Sequence, residues 1–232
     1  LTKLPAGALT QIMSAGEGGA ITVGGALMLS PIPETVAQIA ESLVSERGIV
    51  APRAWYFSDP DYPIKIIGKN GTAVAFSLVG LSPGDYKLIK KALISGVFFT
   101  DASYYEAIIT DTMAKSLGVD VNDEIELLGL KLIVVGIVHE TVMGTLIDLH
   151  QGSFAPPDLA ALREGIMASQ GWSNIVIVPY RFLREIFQAP LYSVAIYTDD
   201  KSLIDEVSYG IVLGFEGLVV YAGYEKTVNV LS

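Results

Sequence analysis

The stretch that most constrains the fold of this chain is ELLGLKLIVVGIVHE, residues 126 to 140. Seven consecutive apolar or glycine positions run from Leu132 to Val138, and the run ends at the polar pair His139–Glu140. A short uninterrupted run of this kind is typical of a strand that is covered on both faces at the centre of a sheet. We therefore expect a core built around this strand, with the chain leaving the core at His139.

Charge and composition exclude several functional classes. Hydrophobic residues make up 51% of the 232 residues, enough for the core of one large domain or two small ones. The 15 cationic and 25 acidic side chains give a net charge of −10, the wrong sign for neutralising phosphates, so we expect no nucleic-acid partner. The chain has no cysteine, which excludes disulfides, thiolate catalysis and cysteine-bound zinc.

Apolar spacing predicts helices alternating with strands. In PETVAQIAESLVSERG, apolar residues recur at helical spacing, which predicts an amphipathic helix with the stripe Val36, Ile39, Ala40, Leu43 and Val44. The pair Asn70–Gly71 between two apolar runs predicts a hairpin, and a second hairpin is predicted to turn near Gly129. The resulting fold class is α+β, a mixed α/β protein, and the hairpins argue against a purely parallel sheet.

The same reasoning predicts the remaining elements. Strands are expected at 20–23, 54–58, 106–110, 174–178, 192–198 and 217–222, and helices at 84–96, 111–118, 157–168, 179–187 and 201–211.

The segment GLSPG, residues 80–84, matches the G-x-S-x-G pattern of a serine hydrolase and lies between a predicted strand and a predicted helix. The residue after Ser82 is Pro83, however, which has no backbone N–H to donate to an oxyanion. The segment is better interpreted as a tight turn.

The pair His139–Glu140 begins like the zinc motif H-E-x-x-H, but Met143 occupies the place of the second histidine. Asp111–Thr112 lacks the glycine of the aspartic-protease triplet, so Asp111 is expected to cap a helix instead. No loop with the glycine pattern of a phosphate site is present. We therefore expect no catalytic residue, no metal site and no cofactor.

The segment AIITDTMAKSLGVDVNDEIELLGLKLIVVGIV, residues 107–138, resembles a recurrent part of the extracytoplasmic domain of MacB/FtsX-type ABC transporter permeases. In that family a strand and a short helix lead through a Lys-x-Leu-Gly turn and an acidic position to a hairpin ending in VVGI. Here Lys115, Gly118, Asp123 and the strand 134–137 fill those places. The chain departs from the family at Asn122, where glycine is usual; asparagine also tolerates the left-handed conformation.

Other colinear segments extend the resemblance over about residues 17–225, namely LSPIPETVAQIAE, SLVGLSPGDYKLIKKALISGVFF, IVIVPYRFLREIF and YSVAIYTDDKSLIDEV. The resemblance implies a membrane-proximal leading segment at 1–29. It also implies a porter-like subdomain formed by 30–100 and 190–232, and an inserted sabre-like subdomain at 101–189.

The resemblance further implies a function without chemistry. Such a domain lies on the extracytoplasmic side of the membrane and couples cytoplasmic ATP hydrolysis to movement or to contact with a partner or substrate. The implied partners are flanking transmembrane helices, a cytoplasmic ATPase and a periplasmic or extracellular protein. The full-length protein is expected to be a homodimer or a heterodimer, whereas the isolated domain can be monomeric. Because the chain begins at Leu1 rather than at methionine, we interpret it as a piece of a longer protein.

The segment 141–171 is longer than the corresponding connection in the family, and long connections in compact domains are often functional. Its methionine, aromatic and aliphatic residues are of types enriched where proteins dock. The predicted partner contacts are Met143, Leu146, Ile147, Phe154 and Trp172. The competing interpretation is that these side chains fold back onto the core.

Two other functions remain open from the sequence. The first is a stand-alone extracellular module that binds a small ligand or a peptide. The second is a serine or metal hydrolase, which would require Ser82 or a carboxylate–histidine site.

Overall fold

The computed structural model of the protein describes residues 19–25, 31–146, 153–200, 202–203, 206–207 and 218–223. The predicted first strand is confirmed as β1 (Gly19–Gly25). The rest of the leading segment 1–29 lies outside the described residues, as does most of the helix predicted at 201–211.

The strands after β1 are β2 (Gly48–Phe57), β3 (Ile64–Ile67), β4 (Thr72–Ala75), β5 (Ser77–Leu81), β6 (Leu93–Gly96), β7 (Glu106–Thr110), β8 (Glu124–Leu127), β9 (Leu130–Val138), β10 (Ile175–Pro179), β11 (Leu191–Thr198) and β12 (Leu218–Gly223). The α-helices are α1 (Thr35–Val44), α2 (Tyr86–Ile89), α3 (Asp111–Leu117), α4 (Glu140–Thr145), α5 (Leu159–Arg163) and α6 (Tyr180–Phe187).

These strands form one sheet in the order β12-β1-β11-β2-β5-β10-β7-β9-β8-β3-β4, with β6 paired beside β9. The pairs β5–β10 and β7–β9 are parallel. The other pairs are antiparallel. The predicted mixed α/β class is therefore confirmed.

Helix α1 forms where the apolar spacing predicts it. Val36, Ala40 and Val44 are fully buried and pack against β11. The buried stripe is narrower than predicted, because Ile39 lies at its border and is 37% exposed. The helix ends before the expected Gly48, since residues 45–47 tighten into a 3-10 turn.

Both predicted hairpins are confirmed. Strands β3 and β4 pair across the Asn70–Gly71 turn. Strands β8 and β9 pair across Leu128 and Gly129, whose φ angles are 51° and 77°. Positive φ at both central residues is what a two-residue turn of type I′ requires.

The helix predicted at 84–96 is wrong in its second half. A 3-10 turn at Pro83–Asp85 leads into α2, which ends at Ile89, and residues 93–96 then form β6. Strand β6 is held by pairing with β9, a strand much later in the chain. Local apolar spacing carries no signal of such a distant partner.

The segment 141–171 also differs from expectation. The helix predicted at 157–168 is shortened to α5, whose first N–H groups are capped by the Asp158 carboxylate. Helix α4 was not predicted. It begins directly after the His139 position at which the apolar run ends, so the expected exit of the strand from the core is confirmed.

The expectation that the Leu132–Val138 run is covered on both faces is correct for only part of β9. Ile133 is 39% exposed between buried Leu132 and Val134, so the first half of the strand has one open face. From Gly136 to Val138 all three residues are buried. In this second half Ile137 and Val138 pack into two different buried clusters, so both faces of the strand are covered.

The buried side chains form three clusters, which we call the first, second and third cores. The first core lies against α3 and α6 and takes in one face of β3, β8, β9 and β10. The second core lies between α1 and β11. The third core covers the opposite side of β5 and β10 and includes side chains from α2, α4 and the segment before β10.

The division into subdomains at residue 101 stays a prediction. Three pairings join strands from the two expected subdomains, namely β3–β8, β6–β9 and β5–β10. Among the described residues, no helix is both long and apolar enough to span a membrane.

Candidate functional site

A charged pair is buried between β2 and the 83–85 turn. Arg53, the one charged residue of β2, is 3% exposed, and Asp85 is fully buried. Arg53 Nη2 lies 2.8 Å from Asp85 Oδ1, and Arg53 Nε donates to the same oxygen at 2.9 Å. A buried charge is tolerated only where a partner and hydrogen bonds replace the lost water, so this contact fixes the 83–85 turn against β2.

Tyr197 of β11 completes the arrangement, which we call the polar junction (Arg53, Asp85 and Tyr197). The Tyr197 hydroxyl accepts a hydrogen bond from Arg53 Nη2 at 3.0 Å and donates to Asp85 Oδ1 at 3.1 Å. The Ser82 N–H donates to Asp85 Oδ2 at 3.2 Å. Burial raises the pKa of the Asp85 carboxyl, while the Arg53 guanidinium and these hydrogen bonds oppose that rise.

The polar junction also contacts the segment that precedes β10. The Arg53 guanidinium carbon lies 4.9 Å from the centre of the Phe154 ring, a cation–π distance. Phe154 in turn stacks on Trp172 with ring centroids 5.7 Å apart. The junction therefore connects four parts of the chain, which are β2, the 83–85 turn, β11 and the segment around Phe154.

Ser82 has a structural role in this arrangement. It is the N-cap of the 3-10 turn in a capping box with Asp85, and its hydroxyl donates to the Pro52 carbonyl at 2.6 Å. The hydroxyl therefore points at a backbone acceptor rather than at a general base. The interpretation of GLSPG as a tight turn agrees with this geometry.

The His139–Glu140 pair lies at the surface. His139 is exposed, and its Nδ1 lies 3.8 Å from Asp111 Oδ2. Asp111 is the first residue of α3 and Thr110 is its cap, so the predicted capping role of Asp111 is wrong by one residue. Instead Asp111 accepts the Glu140 N–H at 3.1 Å, and this hydrogen bond lowers the pKa of its carboxyl. Within the described ranges no group of three acidic, histidine or cysteine side chains could hold a metal ion.

A cleft of about 260 Å³ lies beside Ser82, between the turn after β5 and the start of α6. Its lining combines apolar surface with Glu41, Asp101, Tyr180 and Arg181. Burial and the nearby Glu41 carboxylate raise the pKa of Tyr180 to about 12, so its hydroxyl stays protonated as a donor at neutral pH.

The residues predicted to contact a partner lie largely in the third core. Met143, Phe154 and Trp172 are buried there, and Leu146 packs against the same cluster. Ile147 lies outside the described residues. In the described part of the 141–171 segment the exposed large apolar side chains are instead Ile166 and Met167, the latter 70% exposed. Partner contact by the five predicted residues stays a prediction.

The polar junction was missed at the sequence level, although a signal for it exists. Arg53 interrupts the otherwise uncharged strand GIVAPRAWYF, and an isolated charge in such a strand has to be buried or lie at an edge. The sequence does not show which acidic residue pairs with it, because Asp85 is one of 25 acidic residues.

The fold has relatives among solved structures. The periplasmic region of MacB from Actinobacillus actinomycetemcomitans aligns over 87% of this chain and 87% of its own, with TM-score 0.55 and 12% identity. The extracellular domain of the noncanonic ABC-type transporter YknZ from Gram-positive bacteria aligns over 87% and 98%, with TM-score 0.52 and 16% identity. A domain of a provisionally assigned permease from Porphyromonas gingivalis aligns over 94% and 97%, with TM-score 0.52 and 12% identity.

No protein-family model matches the sequence, and no curated protein matches it. The chain thus has the fold of the extracytoplasmic domains of ABC transporter permeases, as the sequence resemblance predicted.

Proposed function

We propose that this chain is the extracytoplasmic domain of an ABC transporter permease that acts mechanically and has no active site. In this role it couples cytoplasmic ATP hydrolysis to movement, or to contact with a partner or substrate, outside the membrane. The observation that carries the proposal is the fold shared with three such domains over 87% to 94% of the chain.

The packing supports a mechanical role. One sheet connects the strands next to the chain ends, β1 and β12, to the distant hairpins β3–β4 and β8–β9. The polar junction ties β2 and β11 to the 83–85 turn through hydrogen bonds whose partners are buried, and packed elements with satisfied polar groups move as units. A displacement applied at β1 would therefore be passed across the sheet.

The partners follow from the same proposal. The domain lies on the extracytoplasmic side of the membrane, attached to transmembrane helices of its own protein, and a cytoplasmic ATPase drives it. The full-length protein acts as a dimer that its membrane helices hold together. The domain on its own, without those helices, is monomeric.

The direct test is the sequence of the gene on both sides of this chain. The proposal requires an apolar segment of about 20 residues before Leu1 and another after Ser232. A cleaved signal before Leu1 together with a stop codon at Ser232 would overturn it. The stand-alone binding module would then lead, because the cleft beside Ser82 offers a mixed polar and apolar surface for a small ligand.

The mechanical role has its own test, since a chain without cysteine allows spin labels at chosen sites. Labels at Ile39 on α1 and Ile186 on α6, both exposed, report the distance between the second and first cores. In the reconstituted transporter we expect this distance distribution to change between the nucleotide-free and ATP-bound states. A control pair at Lys65 and Thr112, both beside the first core, is expected to stay constant. An unchanged distribution for the first pair would contradict the mechanical role.

A further inference from the structure

Three of the 15 cationic side chains of this acidic protein lie close together on its surface. Lys87, Lys90 and Lys91 lie within five residues of each other, in a chain with 15 cationic side chains and a net charge of −10. All three are exposed, and none forms an ion pair with any residue in the described part of the chain. Lys87 lies 5.9 Å from the ring centre of Tyr197, which places it next to the polar junction.

Exposed apolar side chains flank these lysines. Ile94 and Val97 are 55% and 64% exposed, and Tyr86 is also exposed. The Tyr86 ring lies 5.9 Å from that of Phe98, so the start of α2 and the residues after β6 come together. We call this surface, formed by residues 86–97, the basic strip.

The basic strip includes a free strand edge. Strand β6 pairs with β9 on one side, and among the described strands none pairs with its other side. An open edge presents unpaired backbone N–H and C=O groups, which an extended segment of another chain can satisfy by adding as a strand.

We propose that the basic strip is a docking site for an acidic, extended segment of a partner protein, which pairs with β6 and sets its carboxylates against Lys87, Lys90 and Lys91. A second copy of this chain fits the site poorly, because edge-to-edge pairing of two β6 strands would bring their lysines together. The choice of a protein over an anionic membrane rests on the proposed function. In a chain tethered beyond β1 and β12, strand β9 lies six spacings from β1 and seven from β12 along the sheet, on the order of 30 Å.

The occupied site would also act on the polar junction. A carboxylate that binds Lys87 competes with the Tyr197 ring for the ammonium group, and Tyr197 hydrogen-bonds both Arg53 and Asp85. Docking at the strip thus acts next to the contacts that tie β2, β11 and the 83–85 turn together.

The probe is a capped peptide of about eight residues in which glutamate alternates with valine, titrated onto the 232-residue chain at low salt. The expected result is saturable binding with backbone amide shifts centred on Leu93–Val97. The triple variant Lys87→Glu, Lys90→Glu, Lys91→Glu should bind about ten-fold more weakly or not at all.

The matched control reverses three exposed lysines elsewhere, Lys65→Glu, Lys69→Glu and Lys115→Glu, which changes the net charge equally. This control variant measures the general loss of affinity that added negative charge causes, which we expect to be less than about two-fold. A peptide in which lysine replaces glutamate should not bind.

Three results would overturn the proposal: no saturable binding, equal loss in both triple variants, or amide shifts away from β6. Vesicles containing about one-third anionic lipid form the last arm of the experiment. Sedimentation of the chain with these vesicles that depends on Lys87, Lys90 and Lys91, without peptide binding, would assign the strip to a membrane surface. Because none of these measurements depends on the flanking gene sequence, the strip and the proposed function can fail independently.

Discussion

At the scale of single residues, Arg53 shows how a buried charge is used in this fold. The guanidinium contacts a carboxylate, a hydroxyl and an aromatic face, all of them buried. The net stability from such a pair is small, because desolvation offsets the attraction, but removing one partner leaves the other charge buried without a partner. The polar junction thus specifies how its four segments fit together.

We predict that Arg53→Met destabilises the protein by about 3–5 kcal/mol, because Asp85 is left buried without an opposite charge. The double variant Arg53→Met, Asp85→Leu should recover most of this loss. The measurement is urea unfolding followed by circular dichroism. Arg47 is the control, since its pairs with Asp200 and Glu206 are exposed, and Arg47→Met should leave the midpoint nearly unchanged. Equal effects of Arg53→Met and Arg47→Met would contradict the assigned role.

Two glycines with positive φ allow the cost of backbone strain to be measured apart from the cost of a steric clash. Gly118 ends α3 with φ 64°, and a Cβ there would lie 2.7 Å from the Asn70 Cβ. Gly129 has φ 77°, but a Cβ there would meet nothing within 4 Å. We predict that Gly129→Ala costs about 1–2 kcal/mol from backbone strain alone, and that Gly118→Ala costs clearly more. Unfolding midpoints measure both, and equal losses would show that the chain relaxes around Asn70.

At the scale of elements, sequence patterns predict a helix or hairpin correctly where contacts between residues close in the chain stabilise it. The spacing of Val36, Ala40 and Val44 predicts α1, and the Asn70–Gly71 turn predicts the β3–β4 hairpin. The sequence does not show β6 because the partner of this strand is β9. It overextends α5 because Gly165 has a φ of 77°, which ends the helix, and Ser169 then pairs with Pro157. Pairings between distant segments leave no periodic signal in either one.

The segment before β10 has a buried and an exposed part. Trp172 is 3% exposed and stacks on Phe154 in the third core, whereas Met167 is exposed. We predict that Trp172→Ala costs about 3–5 kcal/mol and that Met167→Ala stays within about 0.5 kcal/mol. Thermal or urea unfolding tests both. A small effect of Trp172→Ala would mean that this segment is not needed for the core, and its side chains would then be free to contact a partner.

At the scale of the whole molecule, the resemblance correctly indicated the fold, because an ordered set of soft motifs restricts topology more than any one motif does. The residues at the polar junction could not be inferred in that way. Arg53, Asp85 and Tyr197 come together only once β2, the 83–85 turn and β11 are placed in the sheet. The contact residues expected in 141–171 rest on residue type alone. Residue type does not distinguish an aromatic side chain that contacts a partner from one that packs in the core, such as Trp172.

The division into two subdomains leads to a prediction for the whole chain. Residues 30–100 and 101–189 share three strand pairings, and the first and third cores each contain side chains from both ranges. Separating the two parts would break these pairings and expose the cores, so we expect them to unfold together. Calorimetric and van't Hoff enthalpies should then agree.

The two tryptophans allow a test of each part, since Trp55 lies in the first range and Trp172 in the second. In Trp172→Phe the fluorescence reports Trp55, and in Trp55→Phe it reports Trp172. Within each variant we expect the fluorescence and circular dichroism transitions to coincide in urea. If fluorescence precedes circular dichroism in one variant and follows it in the other, the subdomains unfold separately. The sheet pairings across residue 101 would then be weaker than the packing within each part, and movement between the parts would be the natural way for this domain to respond to a pull on β1 and β12.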